Sequence, residues 1–248
     1  MNDGQTVASF NIQCLRKGLS SVKKRRKLRD FMLNIHPKPN VILLQEYRFT
    51  YNDCLTKSAQ LEFLKGPLLW NAATYSALDD SLTGGTVILI FTKFTPTLQD
   101  YGVIVKDRAQ YAIIELTPTT RLGIINIYGY NHTGPRTRLW QQTADHPLPP
   151  ALWIMGGNFS FVESLEDKQG GNNNLGHGFR EVASWNNLLI RLQLQALFHM
   201  DEFCKINTKA FTWDNRRPPP RTVLTRLDRF YLSKKLHECG GMIGIWST

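Results

Sequence analysis

Several strand-like apolar runs of this chain end in polar residues suited to holding a metal ion or a phosphate. Ser9-Phe10-Asn11-Ile12 closes one run with an amide, and Leu43-Leu44-Gln45-Glu46 closes another with a carboxylate. Oxygen donors at neighbouring strand tips suit Mg²⁺, a hard ion that takes carboxylate and carbonyl oxygens while keeping several waters. Ile125-Asn126-Ile127-Tyr128 ends a third run, and Trp153-Ile154-Met155 leads through Gly156-Gly157 into Asn158-Phe159-Ser160. Phe211-Thr212-Trp213 and Thr225-Arg226-Leu227-Asp228-Arg229-Phe230 follow nearer the C-terminus. Taken singly, each has an ordinary reading, an Asn in a turn or a Glu where a strand meets solvent. Their order along one chain carries more weight than any one of them.

The elements that must position these residues are short. Runs at 7–12, 41–45, 86–91, 111–116, 122–128, 152–155 and 229–232 are rich in β-branched or aromatic residues and bounded by Gly, Pro or Asn, which predicts strands. Helical spacing appears twice. Leu28, Phe31, Met32 and Ile35 share one face behind a cap at Ser20 or Ser21, and Phe179, Val182, Leu189 and Leu192 form a second stripe. Many strands with few helices predict packed sheets carrying helices outside, and an alternating βαβ order is not expected.

The chain has 248 residues, 42% of them apolar, a length that one domain can fill. Lys and Arg number 30 against 20 Asp and Glu, a formal charge of +10 whose natural partner is a polyanion such as nucleic acid. The run Lys23–Lys27 is a solvated helix face, a phosphate-contacting patch or an import signal. Cys14, Cys54, Cys204 and Cys239 are far apart and form no C-x-x-C pair, which argues against a zinc ribbon or a disulfide framework and for a reducing compartment. No signal pattern or membrane-length apolar run is present.

Taken together, the motif series resembles the endonuclease/exonuclease/phosphatase superfamily from the first strand to about Ser233. It is similar in more detail to the endonuclease domains of LINE-type retrotransposons. Gly156-Gly157-x-Phe159-x-x-Val162, then Glu166-Asp167-Lys168-x-Gly170-Gly171, look like that group's phosphodiesterase loop, as do Phe211-Thr212-Trp213 and Arg226-Leu227-Asp228-Arg229. The resemblance implies an α/β fold, a four-layer sandwich of two mixed β-sheets face to face with helices outside, as a single domain over 1–248. It implies weakly bound Mg²⁺ or Mn²⁺ at Asn11 and Glu46. Tyr128 would donate to a phosphate oxygen, and Asp228 would orient a C-terminal histidine. Arg48, Asn131, Lys168, Trp213, Arg226 and Arg229 lie near the matched motifs as candidate contacts for duplex DNA, with Trp213 able to stack on an extruded sugar or base. The expected protein is a monomer inside the cell, in the nucleus.

The sequence also departs from the family pattern. Where that pattern reads Gly-Asp-Phe-Asn, this chain has Gly157-Asn158-Phe159-Ser160. An amide cannot accept the proton that the Asp would take, and losing a positioned general base lowers a rate by roughly 10²–10⁴-fold. Ser160 is also shorter than the expected Asn. The family's terminal Ser-Asp-His block finds no match, and His132 and His237 are weak substitutes. The expectation is therefore a DNA endonuclease-type domain with impaired catalysis, a pseudoenzyme. The alternative is a non-catalytic nucleic-acid-binding remnant. A lipid or inositol phosphatase on the same fold fits the Glu166–Gly171 block less well.

Overall fold

A computed structural model describes residues 7–12, 22–34, 39–57, 61, 66–76, 80–91, 97–172, 174–196 and 211–238. The first strands are β1 (Val7–Asn11), β2 (Val41–Gln45), β3 (Leu68–Asn71) and β6 (Thr86–Ile90), with the small β4 (Thr74–Tyr75) and β5 (Leu82–Thr83) between them. They form a four-stranded sheet in the order β1-β2-β6-β3, while β4 and β5 pair with each other. A six-stranded sheet, ordered β12-β15-β10-β9-β8-β7, uses β7 (Leu98–Val105), β8 (Ala109–Thr117), β9 (Thr120–Tyr128), β10 (Leu152–Asn158), β12 (Leu194–Ala196) and β15 (Asp228–Ser233). β11 (Lys168–Gln169), β13 (Trp213–Asp214) and β14 (Leu224–Thr225) make a three-stranded accessory sheet. Both large sheets are mixed, since β1 runs parallel to β2 and β9 parallel to β10 while their other pairings are antiparallel.

The two large sheets share one core. Val7, Val41, Leu43, Ile88 and Ile90 from the four-stranded sheet pack with Ala112, Ile114, Leu122, Ile124, Ile154, Phe230 and Leu232 from the six-stranded one. The outer face of the first sheet packs Ile42, Leu44, Val87 and Leu89 with Met32 of α1 (Val22–Asn34) and Cys54 of α2 (Tyr51–Lys57). The outer face of the second meets α3 (Thr133–Asp145) and α4 (Phe179–Arg191) through Leu139, Trp140, Trp185 and Leu188. The strands are apolar on both sides because both sides are covered. This explains why they read as continuous apolar runs and not as alternating ones.

Two expectations need correction. The buried face of α4 is Glu181, Ser184, Trp185 and Leu188; Phe179 is 87% exposed, and Leu189 and Leu192 only flank the core. The aromatic bulk of Trp185 and a buried carboxylate set the helix's rotation, which the apolar stripe misjudged. Phe31 of α1 is exposed at the rim of its helix, meeting Phe10 edge-on at 5.4 Å, while Met32 points inward. The cap at Ser20 or Ser21, Ile35 and the side chain of Leu28 lie outside the described residues. α3, β3 and β7 have no counterpart in the sequence reading. Among the described residues, no helix is long and apolar enough to cross a membrane.

Candidate phosphodiester site

Register brings the polar strand tips together. Asn158 stands opposite Tyr128 on β9 and opposite Asp228 on β15, while Asn11 stands opposite Gln45, the residue before Glu46. A buried amide pair ties the two sheets at this end. Gln45 Nε2 donates to Asn126 Oδ1 at 2.8 Å and to Ser9 Oγ at 3.0 Å. Asn126 Nδ2 in turn donates to the carbonyls of Val87 (2.8 Å) and Leu44 (3.1 Å). Each bond satisfies a group that would otherwise lie buried without a partner. The bridge therefore fixes the relative position of the two sets of tips.

Beyond β2 the chain places Glu46 and Arg48 on one side and buries Tyr47 and Phe49 on the other. Glu46 and Arg48 both adopt left-handed backbone, with φ of 58° and 57°. Such conformations are uncommon for non-glycine residues and are stabilised here by the surroundings. Glu46 N–H donates to the Gly85 carbonyl at 2.9 Å and Arg48 N–H to that of Gly84 at 3.3 Å. A side chain at Gly85 would strike the Tyr47 ring. The Glu46 carboxylate accepts from the Arg48 guanidinium and from the Tyr128 hydroxyl. Burial, reinforced by the Glu46 charge, pushes the Tyr128 hydroxyl up to about 12, so it keeps its proton at neutral pH and acts as a donor. The Arg108 guanidinium lies over the rings of Tyr128 and Tyr130, at 4.8 and 4.1 Å from their centroids.

On the other sheet, the Asn158 amide is committed at both ends. Its Oδ1 accepts from Ser160 N–H (3.0 Å) and Ser160 Oγ (3.1 Å), in a turn where Ser160 has φ of 48°. Its NH₂ donates to the Asp228 carboxylate, which also accepts from the Thr212 hydroxyl. Asp228 Oδ1 is enclosed and has no partner. Burial pushes the Asp228 carboxyl up to about 6, against the opposing pull of Thr212, Asn158 and Arg229. The folded protein therefore binds this proton more tightly than the unfolded chain. The associated stability is fully present below about pH 3.8 and lost as pH rises through about 6. At roughly 1.4 kcal/mol per pKa unit, wild type should lose about 2 kcal/mol relative to Asp228→Asn between pH 4 and pH 7. Urea unfolding of both proteins at the two pH values checks this, and a stability difference that does not change with pH contradicts it.

The expected DNA-contacting residues divide. Trp213 is 44% exposed on β13, and Asn131 is exposed beside the site. Arg229 is only 3% exposed, with Nη2 bonded to Asp167 Oδ2 (2.8 Å) and to the carbonyls of Phe161 and Arg226. It is a buried structural cation, and the expectation of a phosphate contact there is corrected. Arg226 leans on the other oxygen of Asp167 at 3.2 Å, its side chain 13% exposed. Lys168 Nζ donates to the carbonyls of Asn172 (2.7 Å) and Asn174 (2.8 Å), closing its own loop. The two sequence blocks around Asp167 and Asp228 are thus halves of one ion-pair network that docks a loop onto β15. His132 is exposed at the start of α3, and the side chain of His237 lies outside the described residues.

Two features escaped the sequence reading. Arg136 of α3 is buried against the fully buried Glu181 of α4, donating through Nε to Oε1 and through Nη2 to Oε2 at 3.1 Å. Its Nη1 donates to the carbonyls of Tyr130, Asn131 and Ser160, so one guanidinium ties together the loops after β9 and β10. The β13–β14 hairpin also carries exposed Arg216, Arg217 and Arg221 close to Trp213. In the sequence these residues form an Arg-Arg-Pro-Pro-Pro-Arg run whose prolines mark a loop and whose charge is the available clue.

For a divalent ion, Asn11 and Glu46 offer an amide and a carboxylate, hard oxygen donors of the right kind. Among the described residues no cluster of three or more His, Cys, Asp or Glu side chains gathers to hold a metal.

No family model and no curated protein matches the chain. Solved structures do. The fold is similar to an AP endonuclease from Leishmania major, with TM-score 0.69 and 17% identity over 94% of this chain and 79% of that one. It is also similar to a 3′ phosphatase from Neisseria bound to a product DNA hairpin, with TM-score 0.63 and 15% identity over 94% and 88%. At these identities the likeness establishes the fold: this chain has the endonuclease/exonuclease/phosphatase architecture. The endonuclease domain of TRAS1, a telomere-specific non-LTR retrotransposon, shares it at TM-score 0.54 and 14% identity, over 94% of this chain and 87% of that one.

Proposed function

We propose that this chain is a DNA phosphodiesterase-type domain of a LINE-like retroelement that binds duplex DNA but cleaves it poorly. The convergence of Asn11, Glu46, Tyr128, Asn158 and Asp228 at one end of this fold carries the reading. Similar solved structures include an AP endonuclease, a retrotransposon endonuclease domain and a 3′ phosphatase bound to a product DNA hairpin, which supports a nucleic-acid substrate. Asn11 and Glu46 would hold Mg²⁺ or Mn²⁺, which when bound supplies Lewis-acid stabilisation of charge on phosphate oxygens. Tyr128, whose one hydroxyl proton faces Glu46 in this structure, would turn it to a phosphate oxygen as negative charge builds there. Asn158 occupies the position of the base and cannot accept a proton, because its carbonyl oxygen is not basic and already bonds Ser160. On this reading the protein would act where duplex DNA is, in the nucleus of a cell that has one. The second reading, a binding module without catalysis, is favoured by the same doubly bonded Asn158.

Binding tests the shared part of both readings. A formal charge of +10 and the exposed Arg216, Arg217 and Arg221 predict sequence-tolerant binding that weakens steeply with salt, as phosphate contacts release counterions. Fluorescence anisotropy with a labelled duplex should show a log–log salt slope that becomes shallower by about 3 when the three arginines become Ala. Affinity unchanged between low and physiological salt would rule out this mode.

A further inference from the structure

We infer that Arg48 is an exchangeable internal cation at Glu46, so that phosphate and divalent metal bind this site synergistically. The inference rests on the proposed metal site at Asn11 and Glu46. Glu46 and Arg48 are two residues apart with their side chains on the same side, because the intervening Tyr47 is anchored in the core and both residues are held in left-handed backbone. The geometry is imposed by Gly84 and Gly85, whose carbonyls take the two backbone N–H groups. The guanidinium therefore does not drift to its carboxylate by chance; the turn presents it there.

The pair is also incomplete. Arg48 Nε is enclosed and has no acceptor, and about a third of the side chain remains open to solvent. A guanidinium with unused donors matches the oxygens of a phosphate, which it binds through two parallel N–H···O bonds. While Arg48 and the Tyr128 hydroxyl both point at Glu46, a metal ion meets a carboxylate that is already neutralised. A phosphate entering between them takes Arg48, and with it the charge that kept the cation away. The metal then finds Glu46 free. By linkage, whatever factor phosphate adds to metal affinity, metal adds to phosphate affinity.

Mn²⁺ titration of the intact chain, followed by the electron paramagnetic resonance of the free ion, tests this without any cleavage. If Glu46 is free a tenth of the time, Arg48→Gln should bind Mn²⁺ about tenfold more tightly than wild type, because apparent affinity scales with the competent fraction. Arg48→Lys, which keeps the charge, should stay near wild type. Inorganic phosphate should tighten Mn²⁺ binding to wild type and leave Arg48→Gln unchanged. Glu46→Gln should abolish the site in either background. Equal Mn²⁺ affinity of wild type and Arg48→Gln, with loss in Glu46→Gln, overturns the exchange while leaving the metal site standing. Binding that survives Glu46→Gln overturns both.

Discussion

Replacing Arg136 by Met should destabilise the protein by about 3–5 kcal/mol, the range expected when a buried ion pair loses one partner. Glu181 has no exposure to solvent, so its carboxylate would be left charged in a low-dielectric interior. The three carbonyls of Tyr130, Asn131 and Ser160 would lose their shared donor at the same time. For a domain of this size each kcal/mol moves Tm by roughly 2–4 °C, so a fall on the order of 10 °C is expected. The double variant Arg136→Met/Glu181→Met should recover the part of the loss due to the stranded carboxylate but not the part due to the three carbonyls, which still lack their donor. Calorimetry or urea titration of the three proteins checks this. A single-variant effect below about 1 kcal/mol, typical of exposed pairs, would contradict the clasp. The clasp also links stability to function, because the tied loops carry Asn131 and Ser160 at the rim of the site.

How much of this was legible in the sequence depends on the physics of each element. The strand tips were readable because a polar residue bounding an apolar run is a local pattern: Asn11, Tyr128 and Asn158 end β1, β9 and β10, Glu46 follows β2, and Asp228 opens β15. α3 was not readable. Its inward face includes Arg136 and Thr143 beside Leu139 and Trp140, so the helical stripe is broken by a charge whose partner lies 45 residues away. Arg229 was misread for the same reason. Charge on a sequence suggests surface, yet β15 is covered on both faces, and the carboxylate of Asp167 that permits burial comes 62 residues earlier. The rotation of α4 follows from Glu181 and Trp185 together, which apolar periodicity alone does not weigh. The neutralisation of Glu46 by Arg48 needed left-handed backbone at both residues, a conformation that their side chains do not advertise.

On the proposed reading a phosphodiester site is assembled here, and Asn158 and Ser160 are among the departures that impair it. Restoring the family pattern with Asn158→Asp and Ser160→Asn tests it with the largest expected effect on rate. The new carboxylate would face Asp228 without the amide bridge that now joins them, and two adjacent carboxyls share a proton and titrate as a pair. Activity of the repaired protein should therefore rise with pH as the pair ionises. A positioned base contributes roughly 10²–10⁴-fold, and a gain near the lower end of that range is expected from this partial repair. The measurement is nicking of supercoiled plasmid in Mg²⁺ by the unrepaired and repaired proteins, each with and without Glu46→Ala. The expected result is background nicking by the unrepaired protein, nicking on the order of 10²-fold faster after repair, and loss of that gain with Glu46→Ala. Robust Mg²⁺-dependent nicking by the unrepaired protein, abolished by Glu46→Ala, would contradict it.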